Sequence, residues 1–281
     1  MRILPILFLV AAISCGGEPP TAQSVADEEG AGVSDTARSA PEDRSADEPA
    51  GREDNVRIDS PADGSAVVAN PIEVSGTART FENYVILQVR DSRGEQLLET
   101  STTARGEIGH FNPWSTELWL TRWPGPEITL RAIEESARDG SIRSLETVTL
   151  RNEMRRREVI LYFPNAETSP DDCSTVYPVT RVVPSSPGIA RLLTEALIAG
   201  PTSSEKKRGF TSEFPRGTQV ESIEINDGTL TVDLSSEARN VGGSCRAQAV
   251  RSSLDATLGQ LSNVERVRIT AAGSEELALQ P

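Results

Sequence analysis

The chain has 281 residues, of which 37% are hydrophobic and only 4% aromatic, and its formal net charge is −14. That apolar share is low for one compact fold, so part of the chain lies outside any core. The acidic balance argues against a nucleic-acid surface, and a single histidine with three cysteines leaves little material for a metal centre or zinc fold.

The N-terminal segment opens with Arg2, followed by a nearly unbroken apolar run from Ile3 to Ile13. Such a run is too short to cross a bilayer and suits the core of a signal peptide. Small Ala12 and Ser14 lead into Cys15, Gly16 and Gly17. This is the pattern of a bacterial lipoprotein signal, with residues 1–14 removed and Cys15 lipidated as the new N-terminus. Membrane attachment through Cys15 and an extracytoplasmic location follow as expectations, with the membrane face left open.

From Gly16 to Asp54 there is no Leu, Ile, Phe, Tyr, Trp or Met, and eleven acidic residues face three arginines. Too little apolar surface is present to offset the entropy of ordering such a stretch. Residues 15–54 are therefore expected to be a lipid-anchored, disordered acidic tether, with an end-to-end distance of about 34 Å or more.

Period-two alternation begins at Val56. It predicts strands at Val56–Asp59, Ile72–Ser75, Val85–Val89, Ser115–Leu120, Ile128–Ile133 and Leu145–Leu150, separated by turns at Pro61–Gly64, Asp91–Gly94 and Ala137–Gly140. Short strands without intervening helical periodicity indicate an all-β antiparallel sandwich over residues 55–152. Along it occur, in order, Ile58-Asp59-Ser60-Pro61, Asn70-Pro71 with Ile72 to Ala78, Thr80-Phe81-Glu82, and Ser136 to Ser141. Together they resemble the immunoglobulin-like domain of bacterial spore-germination proteins. That resemblance implies an extracytoplasmic sandwich for which no catalysis is assumed.

Trp114, Trp119 and Trp123 cluster late in this unit, just after His110 and Phe111. They read either as a stacking platform for a glycan or protein partner, or, the preferred reading, as Trp119 in the core with Trp114 and Trp123 shielding a sheet edge. Arg155, Arg156 and Arg157 then mark a solvated hinge, with contact to anionic phospholipid or cell-wall polymer as the competing role. Trp114, Trp123 and these arginines form the candidate binding surface.

Beyond the hinge, residues 158–281 alternate strands and helices. Val159–Phe163 and Tyr177–Val183 read as strands, Ser186-Pro187 as a helix start and Gly200-Pro201 as its stop. Asp227-Gly228 joins two alternating runs as a hairpin turn, setting Ile225 opposite Leu230 and Ile223 opposite Val232, all on one face. A helix from Ser244 burying Ala247, Val250, Leu254, Leu258 and Leu261, then a strand at Val264–Ile269, complete an α+β domain with helices packed on a mixed sheet. Leu161 to Asn165, Ala199 to Thr202, Gly217-Thr218, Asp227-Gly228, Val232 to Ser235 and Gly242 to Arg246 look like the GerMN domain of sporulation and germination lipoproteins. Spore-associated relatives carry two such domains in tandem; this sequence has one.

With Cys15 lipidated, Cys173 and Cys245 remain, an even number in an exported protein, and are expected to form a disulfide. A reactive thiol at Cys245 is the competing reading. His110 lacks a recognisable nucleophile motif, and neither a phosphate-binding glycine loop nor a metal-ligand spacing is present, so neither catalytic residues nor a cofactor are assigned. The function expected is a non-catalytic envelope lipoprotein that docks onto envelope proteins or onto copies of itself, with no nucleic acid. Binding to peptidoglycan or another carbohydrate is the alternative, and a hydrolase with an accessory sandwich comes last. The resemblance adds that GerMN-type domains are associated with assembly of envelope complexes.

Overall fold

A computed structural model describes residues 54–169, 171–239, 241–276 and 278–280. The expected signal peptide, Cys15 and the expected acidic tether up to residue 53 lie outside the described residues.

The first half contains eight strands: β1 (Val56–Ser60), β2 (Ala66–Val67), β3 (Ile72–Ala78), β4 (Tyr84–Asp91), β5 (Gln96–Thr103), β6 (Asn112–Leu118), β7 (Glu127–Glu135) and β8 (Ile142–Asn152). They form a three-stranded sheet ordered β1-β3-β6 and a five-stranded sheet ordered β2-β8-β7-β4-β5. Alternate residues of both sheets meet in one core: Val56, Val74, Trp114 and Leu118 from the first, Val85, Leu87, Leu130 and Leu150 from the second. This is the expected sandwich, with five of the six expected strands extended by one or more residues; the sixth, expected at Ser115–Leu120, instead begins at Asn112 and stops at Leu118. Strands β2 and β5 were not foreseen. β5 lacks clean alternation, and Leu97 and Leu98 stay half-buried, because it is an edge strand. Its turn is held by Asp91, whose carboxylate accepts the N–H groups of Arg93 (2.9 Å) and Glu95 (2.8 Å).

The phase of β6 decides the fate of the tryptophans. Asn112, Trp114 and Leu118 point inward, so Trp114 is only 3% exposed and belongs to the sandwich core. Trp119, assigned to that core from sequence, has the opposite phase and packs against the core of the second half. The ring of Trp114 lies directly over Gly76, where a Cβ would fall 2.4 Å from the indole Cζ2 and 1.9 Å from the Arg57 carbonyl oxygen. Because a backbone atom is one of the obstacles, Gly76→Ala is expected to lower stability by about 1–3 kcal/mol, the range for overpacked cores. Thermal unfolding of the two proteins side by side checks this.

The second half runs β9 (Arg156–Phe163), β10 (Tyr177–Pro184), α1 (Ile189–Ala199), α2 (Ser203–Lys206), β11 (Val220–Asn226), β12 (Thr229–Leu234), α3 (Ser244–Leu258) and β13 (Arg266–Ala271). In place of one mixed sheet there are two: the antiparallel pair β9–β10, and β11-β12-β13 with β12 and β13 parallel. Leu192, Leu193 and Leu197 of α1, Val250, Leu254 and Leu258 of α3, and Leu161, Phe163, Leu230, Val232 and Ile269 share one buried cluster. The hairpin has the expected register, Ile225 opposite Leu230 and Ile223 opposite Val232. Asp227 and Gly228 both have positive φ (48° and 71°), as the tightest two-residue turns require. The outer partners are less covered than expected, however: β11 is an edge strand, and Ile225 is 39% exposed.

Helix α1 starts later than Ser186-Pro187 suggests. Its N-cap is Gly188, and the Ser186 hydroxyl instead accepts the Gly188 N–H at 3.2 Å. Helix α3 buries polar Ser253 and Thr257 beside its apolar residues, and Thr257 Oγ1 accepts the Tyr162 N–H of β9 at 3.0 Å. Leu261 lies past the end of the helix.

The hinge expected at Arg155–Arg157 is replaced by strand. Arg156 and Arg157 begin β9, paired with Pro184 and Val183, and Met154 is buried in the sandwich core. The Arg155 carbonyl accepts the Ser185 N–H at 2.7 Å. Backbone pairing continues across the boundary, where the Trp123 N–H donates to the Val182 carbonyl at 3.0 Å.

Candidate interaction site

Where the two halves meet, aromatic rings from the sandwich are covered by arginines from the second half. The Arg156 guanidinium lies 4.6 Å from the Trp123 ring centroid, and that of Arg191 lies 5.4 Å from Trp119. Gly188 also abuts Trp119, and a Cβ there would lie 2.9 Å from the indole Cη2. A cation over an indole at an exposed site such as Arg156 is worth about 0.5–1 kcal/mol, and more where it is partly shielded, as at Arg191. Trp119→Ala removes both the stacking and the packing against the second core, and is expected to cost about 3 kcal/mol, the bottom of the range for a truncated large aromatic, because the ring is only partly buried. A urea unfolding curve that becomes two-stepped would register the loss of coupling between the halves.

Beside this contact opens a cleft of about 650 Å³. One wall is β5 from Leu97 to Ser101, with Tyr84 and Ile86 of β4 and Thr116 and Glu117 of β6; the other is Arg191, Glu195, Ile198 and Ala199 of α1 with Gly217 to Val220. Arg191 is fixed by its bond to the Val220 carbonyl (2.8 Å) and its ion pair with Glu195 (3.4 Å). Burial pushes the Glu195 carboxyl above its ordinary range, against the opposing pull of Arg191. Glu117 accepts the Trp119 indole N–H at 3.2 Å, and Glu99 accepts from Gln88 (2.8 Å) and Gln96 (3.2 Å).

Of the candidate surface residues, Trp114 is enclosed and cannot line a surface. Trp123 is half-buried under Arg156, so the two occupy each other, while Arg155 and Arg157 stay exposed. His110 is exposed in the loop before β6, and its side chain has no hydrogen-bond partner among the described residues. Cys173 and Cys245 are joined by a disulfide, Cα–Cα 5.1 Å, between the loop preceding β10 and the first turn of α3. Next to it Asp172 accepts the N–H groups of Ser174 (2.8 Å) and Thr175 (3.2 Å) and both their hydroxyls, which hold its carboxyl down at about 2. Among the described residues no group of three His, Cys, Asp or Glu side chains is placed to hold a metal, and no helix is long and apolar enough to cross a membrane.

Residues 55–141 match the family model Gmad2, the immunoglobulin-like domain of bacterial spore germination, and residues 160–277 match Germane, sporulation and spore germination. The chain joins a Gmad2 domain to a Germane domain. The Gmad2 match stops at 141, but β8 of that sandwich continues to Asn152. Among solved structures, the tandem GerMN domains of the sporulation protein GerM from Bacillus subtilis are 19% identical, with 44% of this chain and 41% of that chain covered at a TM-score of 0.36. The first GerMN domain of the same protein gives 24% identity, 42% and 84% coverage and a TM-score of 0.33. A putative lipoprotein from Clostridium perfringens gives 23% identity, 42% and 76% coverage and a TM-score of 0.29. This chain thus spans less than half of the tandem GerM structure. No curated protein matches it.

The cleft residues Arg191, Glu195, Glu99 and Glu117 carry no one-dimensional signature. The outward phase of Trp119, readable from alternation through Trp114 and Leu118, is the one clue that the sandwich presents an aromatic to a neighbour.

Proposed function

We propose that the protein is a non-catalytic lipoprotein of the bacterial cell envelope, tethered through Cys15, whose Gmad2 and Germane domains together dock envelope proteins or further copies of the chain. Both family models are of the sporulation and germination type, and neither describes an enzyme. In this reading the Germane domain is a two-layer α+β unit with helices over its sheets. The observation that carries the proposal is the boundary between the domains. Trp119, Trp123, Arg156, Arg191 and the Trp123–Val182 backbone bond join the two into one continuous surface, in which β5 and β11 are edge strands among the described residues. Such edges recruit strands from partners. The carbohydrate reading loses support because Trp114 is enclosed and Trp123 is stacked under Arg156.

Metabolic labelling with a lipid precursor tests the tether. Label is expected in the wild-type chain and absent from Cys15→Ala. An unlabelled wild-type chain recovered from the cytosol would refute the anchored reading.

A further inference from the structure

The cleft beside Trp119 has the form of a strand-accepting groove with a preferred charge. β5 ends the five-stranded sheet, so among the described residues one of its edges has no strand partner. The Thr102 hydroxyl reaches the Ser115 carbonyl of β6 at 3.4 Å, which closes that end, while Leu97 to Ser101 face the cleft. Those five residues offer about 17 Å of extended backbone, enough for one short strand.

The groove is also acidic. Glu99 and Glu117 are exposed, and neither forms an ion pair with a described cation; their polar contacts are with Gln88, Gln96 and Trp119. Glu117 stands directly opposite Glu73 on β3, a like-charge pair on one sheet face that a cation would relieve. The cleft's own cation, Arg191, is held by Glu195, the Val220 carbonyl and the Trp119 ring. The acidic segment Gly16–Asp54, with eleven carboxylates against three arginines, has the wrong charge to fill it.

We infer that this cleft receives an extended segment of a partner protein bearing Lys or Arg side chains, which adds as a strand to the outer edge of β5 and sets its cations against Glu99 and Glu117. Main-chain bonds to the edge supply affinity, and the carboxylates select the sequence. The inference rests on the docking function proposed above and assigns it a site and a partner chemistry.

The test uses the purified full chain and an array of random eight-residue peptides, the length of β5. Retained peptides are expected to be enriched in Lys and Arg and to slow amide exchange in β5. The variant Glu99→Gln/Glu117→Gln is expected to bind them about tenfold more weakly, as for loss of two partly screened charge contacts. Glu99→Lys/Glu117→Lys is expected to shift enrichment toward Asp and Glu. Absence of retained peptides, enrichment without cations, or protection elsewhere than β5 would overturn the inference. So would self-association of the chain abolished by the same variants, which would place a second copy in the groove. An envelope protein captured equally by wild type and by Glu99→Gln/Glu117→Gln would overturn this site while leaving the docking function standing.

Discussion

Glu205→Ala is expected to lower the unfolding free energy by about 3–5 kcal/mol, the largest single-residue loss in the Germane domain. Arg181 and Glu205 form an ion pair at 2.6 Å, with each side chain only 6% exposed. Removing the carboxylate strands the guanidinium among Phe163, the Gly200 carbonyl and the surrounding core. Glu205 also closes the capping box of α2: it accepts the Thr202 N–H at 2.6 Å, and its own N–H donates to the Thr202 hydroxyl at 3.3 Å. The control is Arg181→Met/Glu205→Leu, which removes both charges and is expected to cost much less than either single loss, because a buried pair gains little over apolar packing. Burial alone would raise the Glu205 carboxyl. The bonds from Arg181 and Thr202 outweigh it, and the net direction is down. A carboxyl lowered on folding contributes stability that is fully present above its unfolded value near 4.5 and is lost as pH falls through the folded value. The wild type is therefore expected to lose more stability than Glu205→Ala as acid is added below that point, which urea midpoints across the pH series would show.

Reduction of the Cys173–Cys245 disulfide, or Cys173→Ser/Cys245→Ser, is expected to lower stability by about 4 kcal/mol, since a bridge across 72 residues removes much loop entropy from the unfolded chain. Cys245 is exposed and Cys173 half-buried, so serine substitution leaves little cavity, and the loss reports mainly the crosslink. Unfolding midpoints with and without reductant measure it. Thiol titration of the folded, exported chain is expected to find neither cysteine free; two titratable thiols would contradict the bridge.

The two effects differ in how far the sequence announces them. Once Cys15 is set apart as the expected lipid site, two cysteines remain in a chain expected to be exported, and that evenness is enough to suggest the bridge. The Arg181–Glu205 pair is invisible, because Arg181 sits at an inward position of β10 where alternation expects an apolar side chain. The same contrast runs through the fold. The Asp227-Gly228 hairpin is legible to the residue, since turn chemistry and hydrophobic phase act locally and agree. β5 is hidden because an edge strand buries little and needs no alternation, although its threonines carry β propensity. Arg155 to Arg157 read as a solvated hinge, yet Arg156 and Arg157 are committed to β9 and the Arg155 carbonyl is bonded to Ser185, and charge on a side chain says nothing about where its peptide groups bond. The candidate cleft was beyond reach for a further reason. It exists only where β5, β6 and α1 converge, and spacing along the chain does not encode that meeting.

Photocrosslinking in intact cells, from the full chain carrying a photoreactive side chain at Ser101 in the cleft, at Ile225 on the β11 edge or at exposed Arg155, tests the docking function most directly. The account predicts a discrete adduct with an extracytoplasmic protein, or with a second copy of the chain, from at least one of these positions. Adducts with peptidoglycan alone, or none from any position in a chain correctly exported and lipidated, would contradict it.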